Sequence, residues 1–121
     1  MRYLLASLLS LAVMTALPNS AAAHAYLDHS QPADGAVLAT APTAVKLWFS
    51  RAIEPAFSSV RVVDDQGVQV DDGKPTVNDD TPKLIQVGLT AVMAGKKYKV
   101  IYRIVALDGH KVKGEFSFSV K

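Results

Sequence analysis

The chain has 121 residues, half of them hydrophobic, with 20% charged residues, no cysteine and a formal net charge of +2. That near-neutral balance argues against nucleic acid as the main partner. The lack of cysteine excludes disulfides, thiolate-bound zinc, iron–sulfur centres and a lipoprotein anchor.

The N-terminus reads as a secretory leader. Met1-Arg2 is positive, Tyr3 to Leu17 is apolar with small polar breaks at Ser7, Ser10 and Thr15, and Pro18-Asn19-Ser20 precedes Ala21-Ala22-Ala23. A short charged start, an apolar core and a small-residue cut site are the marks of a cleaved signal peptide. The apolar core is too short and too interrupted for a membrane span. Residues 1–23 are therefore assigned to the leader and 24–121 to one small β domain, large enough for a single core. Cleavage after Ala23 makes His24 the first residue; Ala23-His24-Ala25 also fits the small-x-small rule, so a cut after Ala25 stands as the alternative.

Beyond the leader the pattern predicts strands throughout. Tyr26 to Ser30 forms a short first strand, followed by a turn at Gln31-Pro32-Ala33-Asp34-Gly35. Ala36 to Ala44 is alanine-rich, but Pro42 and two threonines argue against a long helix. Val45 to Ser50 alternates with Val45, Leu47 and Phe49 inward, and Val60 to Val63 is paired through Asp64-Asp65-Gln66-Gly67 with a returning Val68-Gln69-Val70. Asp71 to Pro82 reads as loop and Leu84 to Val87 as a strand. Lys97 to Leu107 places Tyr98, Val100, Tyr102 and Ile104 on one face, and Glu115 to Val120 turns its two phenylalanines and Val120 inward. About seven short strands and no amphipathic helix predict an all-β sandwich or Greek-key barrel of immunoglobulin-like type.

Charge is unevenly spread. Residues 24–80 hold four basic and nine acidic side chains, and residues 81–121 hold eight basic and two acidic. The expectation is that loops and strand faces neutralise one another in the fold. The pairs Asp64-Asp65, Asp71-Asp72 and Asp79-Asp80 lack the spacing of a calcium loop and sit beside turn formers, so they are read as solvated loops. No nucleophile elbow or phosphate-binding glycine motif is present.

Three histidines remain as candidates for chemistry. A free N-terminal His24 would offer two nitrogens to one cation, its α-amine and its ring Nδ1. In Asp108-Gly109-His110 a carboxylate and an imidazole lie two residues apart, with a glycine between them that lets the backbone bend. Two readings of that motif stand: Asp108-Gly109 as a two-residue hairpin turn with His110 merely next in line, or Asp108 and His110 as ligands. Joined to His24 they make a set of three nitrogens and one oxygen, which suits the tetragonal preference of Cu(II). His29 lies five residues from His24 and, in a strand, on the opposite face; it is read as an exposed polar residue, with an accessory ligand as the alternative.

With these residues in view, the chain resembles the CopC family of periplasmic copper-binding proteins. The likeness rests on His24-Ala25-Tyr26-Leu27, Pro32-Ala33-Asp34-Gly35 with Ala41-Pro42, Val45 to Ser50, Tyr98-Lys99-Val100, Arg103 to His110, Gly114 and Phe116 to Val120. It implies a cupredoxin-like Greek-key barrel and one Cu(II) per chain held by His24, Asp108 and His110. It also implies a periplasmic, non-enzymatic role in copper sequestration, trafficking or resistance, with a CopD-type inner-membrane protein as partner. Family members usually carry a serine shortly before the aspartate, where this chain has Val105-Ala106-Leu107. Some also carry a methionine-rich Cu(I) loop. Here Val62 to Pro75 has neither methionine nor histidine, and Met93 is the only methionine after the leader, so a Cu(II)-only member is expected. The alternatives are a copper-dependent polysaccharide monooxygenase built on an N-terminal histidine, and a metal-free immunoglobulin-like binding module.

Overall fold

A computed structural model describes residues 26–121. The leader, the cut site and His24 lie outside the described residues.

Seven strands form two sheets. The first joins β1 (Leu27–Gln31), β3 (Ala44–Phe49) and β5 (Leu84–Gly88) in the order β1-β3-β5, with β3 antiparallel to both neighbours. The second runs β2-β7-β6-β4, from β2 (Val37–Leu38), β7 (Lys111–Val120), β6 (Lys97–Val105) and β4 (Ser59–Asp64). The β6–β7 hairpin is its longest ladder, from Lys97↔Ser119 to Val105↔Lys111. The two sheets stay separate, so of the expected alternatives the protein is the sandwich rather than a closed barrel. Among the described residues no helix is long and apolar enough to cross a membrane.

Alternation dictates which faces meet. Val45, Leu47 and Phe49 on β3 and Ile85 and Val87 on β5 are buried against Val60 and Val62, Tyr98, Val100 and Ile104, and Phe116, Phe118 and Val120 of the second sheet. Period-two spacing puts each such set on one side of its strand, and burying each large apolar side chain contributes about 1.5–3 kcal/mol. Tyr98 stacks on Phe118 and Phe49 meets Tyr102 edge to face, both with centroids 5.5 Å apart.

The expected strand count conceals an exchange. Val68-Gln69-Val70 returns along β4 as expected, through the Val63↔Gln69 bridge and hydrogen bonds of Val68 and Val70, but is too short to form a strand, whereas β2, two residues inside the alanine-rich stretch, pairs parallel with the end of β7. β7 also begins at Lys111, four residues before the predicted start, because Lys111 and Lys113 alternate with Val112 and Gly114 as a polar outer face. Strand β1 holds a bulge: Leu27 pairs with Phe49 but His29 with Trp48, so Asp28 has no partner of its own. In a regular strand Leu27 and His29 would share a face. The extra residue leaves Leu27 on the core side and turns His29 outward.

Candidate metal site

The Asp108-Gly109-His110 motif lies at the tip of the β6–β7 hairpin. The last strand pair is Val105↔Lys111; beyond it Gly109 N–H donates to Ala106 C=O (2.9 Å) and Ala106 N–H to His110 C=O (2.8 Å). Leu107 and Asp108 are the central residues of this turn and Gly109 follows at φ +89°, a conformation that favours glycine. The loop is thus a three-residue connection rather than the two-residue Asp-Gly turn expected from sequence. The difference matters, because the turn brings Asp108 round onto His110.

Asp108 holds its neighbour with both oxygens. Oδ1 accepts from His110 N–H (3.1 Å) and Oδ2 lies 2.9 Å from His110 Nδ1. These contacts with His110 hold the Asp108 carboxyl below its ordinary value of 3.8, with Arg51 adding a smaller pull in the same direction. An ionised carboxylate accepts only, so the contact is attractive when Nδ1 bears a hydrogen. A 2.9 Å gap is also the edge between adjacent corners of a square whose ligands stand about 2.0–2.1 Å from a central ion. The spacing of the pair therefore suits a divalent cation placed between Oδ2 and Nδ1. Both side chains are partly exposed, although the His110 Nδ1 atom itself is covered, so the carboxylate is the more open of the two groups.

Sequence reasoning missed Arg51. Its Nε stands 3.8 Å from Asp108 Oδ2, a resident cation beside the carboxylate. The chain brings it there because the segment Ser50–Ala52, just past β3, touches two other parts of the protein. On one side Ser50 N–H donates to Tyr26 C=O (3.0 Å) and Tyr26 N–H to Ser50 Oγ (3.0 Å). On the other, Leu107 N–H donates to Ala52 C=O (2.9 Å). The start of β1 and the hairpin tip thus share one bridging segment. A second serine, Ser58, accepts from Val105 N–H (3.0 Å) and donates to Glu54 C=O (2.7 Å), tying the 3₁₀ turn Pro55–Phe57 to β6.

Of the three expected ligands the structure brings together Asp108 and His110; His24 is outside the described residues. Among the described residues no group of three or more histidine, aspartate or glutamate side chains converges. His29 is not at this pair: its ring stacks on Trp48 (centroids 4.3 Å, planes 10° apart) and its Nδ1 lies 3.0 Å from Asp28 Oδ2. The acidic pairs are structural to different degrees. Asp64 Oδ1 accepts from Gln66 and Val68 N–H (2.9 Å each), which organises a turn. Asp71, expected in solvent, is only 8% exposed and accepts from Val62 N–H (2.7 Å), Gln69 Nε2 (2.9 Å) and Gly73 N–H (2.8 Å).

Comparison with known proteins agrees with this architecture. The CopC from Methylosinus trichosporium OB3b superposes with a TM-score of 0.75 at 32% identity, over 81% of this chain and 94% of that one. The methionine-rich copper resistance protein PcoC from Escherichia coli gives 0.68 at 27% identity, over 82% and 100%. Protein YobA of Escherichia coli K12 is 34% identical over 99 residues, 82% of this chain and 80% of its own length. The copper transport protein CutJ of Bacillus subtilis is 31% identical over 104 residues, 86% of this chain but 19% of that longer protein. The family model for the CopC domain matches residues 27–121, and the chain belongs to the CopC family.

Proposed function

We propose that this CopC-family chain is an exported copper carrier that takes one Cu(II) through the His24 amine and ring, the Asp108 carboxylate and the His110 imidazole. The observation that supports the reading is the bridge through Ser50–Ala52, which links Tyr26 to the hairpin tip that carries Asp108 and His110. His24 is two residues upstream of Tyr26, and two residues span about 7 Å at most. On this reading the linked segment tethers an N-terminal chelate toward the other two ligands. Such tethering raises the effective concentration of the second half of a site without any new contact. With one carboxylate, Cu(II) would leave a residual positive charge, tolerable at a partly exposed position.

The chain works as a periplasmic sequestering or trafficking protein, with a CopD-type inner-membrane protein to give copper to or receive it from. It holds Cu(II) only. PcoC is described as methionine rich, while residues 24–121 of this chain contain Met93 alone, and one thioether does not make a Cu(I) site.

The test is a Cu(II) titration of the chain beginning at His24, read by paramagnetic resonance. One tetragonal Cu(II) per chain is expected, lost or greatly weakened in His24→Ala and Asp108→Ala. A chain that retains Met1–Ala23 has a peptide nitrogen in place of the amine and should bind much more weakly. Equal affinity with and without the leader would remove the amine from the ligand set, and no stoichiometric Cu(II) signal would end the reading.

A further inference from the structure

The outward face of the second sheet is basic. Arg61 on β4, Lys97, Lys99 and Arg103 on β6, and Lys111 and Lys113 on β7 all occupy exposed outward positions, opposite the buried residues of the same strands. Glu115 is the one acid at the outward positions of these three strands, and it pairs with Lys99 (3.7 Å). The neutralisation of the two chain halves expected from sequence is confined to one end of this face. Asp64 and Asp65 share a groove with Lys97 and Lys99 at that end, whereas the groove of Arg103, Lys111 and Lys113 at the other end is lined by no acid among the described residues.

Two details show that folding alone does not ask for this arrangement. Arg103 lies directly opposite Lys113 in the ladder, and like charges placed so are destabilising. Moreover, the groove that holds Arg103, Lys111 and Lys113 is closed on one side by Phe57, which is 74% exposed at the end of its 3₁₀ turn. Leu107, 63% exposed at the hairpin tip, extends the apolar edge toward Asp108. Large apolar side chains left in water beside clustered cations match a surface that is negative at its headgroups and apolar just beneath. The opposite face of the sandwich carries Lys46 between Gln31 and Gln86, with Lys83 beside the half-buried Trp48 and Leu84 at its edge, and so lacks a cluster of cations.

We infer that the outward face of the β2-β7-β6-β4 sheet docks the chain on an anionic phospholipid surface, with the cations over the headgroups and Phe57 and Leu107 entering the interface. The Asp108–His110 pair then lies at the membrane-facing edge. The inference needs no copper, so its test is independent of the metal reading.

The experiment is co-sedimentation of the metal-free chain beginning at His24 with vesicles of phosphatidylcholine, and with vesicles of phosphatidylcholine and phosphatidylglycerol in equal parts. Binding is expected only to the anionic vesicles and should fall as salt screens the face. Each cation near such a surface is worth about a five-fold change in partition, so Arg103→Ser with Lys113→Ser should weaken binding on the order of 25-fold. Lys46→Ser, on the other face, should change it little. Phe57→Ser should weaken the binding that remains at high salt. The inference is overturned by no binding to anionic vesicles, by equal binding to neutral ones, or by an equal loss in Lys46→Ser. A Phe57→Ser chain that binds unchanged would also overturn it, since attraction to any polyanion, including an acidic protein, would then suffice. Arg103, Lys113 and Phe57 are exposed and Lys46 is partly so, and an unchanged circular dichroism spectrum separates lost binding from lost folding.

Discussion

Asp71 offers the sharpest test of the packing. Strand β4 is an edge strand, paired only with β6, and its free side is covered by residues 69–71: Val70 N–H donates to Val62 C=O (2.8 Å), and Asp71 Oδ2 accepts from Val62 N–H (2.7 Å). Asp71→Ala removes that acceptor. Gln69 and Gly73 can turn to water, but the Val62 amide belongs to a fully buried residue. A buried donor left unsatisfied costs about 1–3 kcal/mol, and each of the other bonds to the carboxylate adds about 0.5–1 kcal/mol net when water replaces it. The expected loss is on the order of 3 kcal/mol. For a domain of roughly 100 residues that lowers the melting temperature by about 10–20 °C, measurable by circular dichroism against Asp71→Asn. The asparagine keeps one acceptor and should cost less than alanine. A drop below about 4 °C in Asp71→Ala, or Val62 amide exchange no faster than in the parent chain, would refute the edge-covering role.

Three other outcomes follow from the same contacts. Gly114→Ala puts a Cβ against the Tyr102 hydroxyl and within 2.7 Å of its Cζ; overpacking of this kind costs about 1–3 kcal/mol, and Tyr102→Phe in the same chain should recover part of it in a urea melt. Arg51→Gln removes a cation 3.8 Å from Asp108. Without that competing cation Cu(II) affinity should rise in a competition titration, and the rise should shrink as salt screens the site; a fall would mean that Arg51 helps to hold the site. The Asp108 carboxyl should titrate below 3.8 in a nuclear magnetic resonance experiment and move back up in His110→Ala. A depressed carboxyl stabilises the folded state above its unfolded value and loses that contribution as pH falls through the depressed one. The parent's stability should therefore fall more steeply than that of His110→Ala in that acid window; equal slopes would refute the contact in solution.

What could be read from the residues was what alternation encodes. Val45, Leu47 and Phe49 and the run Phe116, Phe118, Val120 each announce a buried face, and the structure buries all of them. The short parallel β2 could not be read, because two residues carry no period and their pairing with Ser119 and Val120 is set by the fold as a whole. The orientation of His29 was expected from parity in a regular strand, and the bulge at Asp28 breaks that parity before His29 is reached. Asp71 and Asp72 look alike in sequence. One is sealed under the β4 edge, while the other packs its carboxylate where a Gly88 Cβ would stand, 2.6 Å from that position, and only the tertiary path distinguishes them. Asp108 and His110 were legible because their spacing is local. Arg51 was not, since its approach to Asp108 depends on the Ala52–Leu107 bond across the sandwich.

That bridging segment also bears on what copper would do to the protein. Strand β1 is the edge of the first sheet, and the hairpin carrying Asp108 and His110 belongs to the second. In the described residues hydrogen bonds link the start of β1 to that hairpin through Ser50–Ala52. On the proposed ligand set a bound Cu(II) would join them directly and so cross-link the two sheets at one end. Such a ligand stabilises the folded state by RT ln(1 + [L]/Kd), about 4 kcal/mol at a thousand-fold excess over Kd. The end of the fold that must open to release copper would then be the same end that copper holds shut. Release would be coupled to fraying of an edge strand pinned there by two hydrogen bonds to Ser50, a small cost beside the disruption of the core.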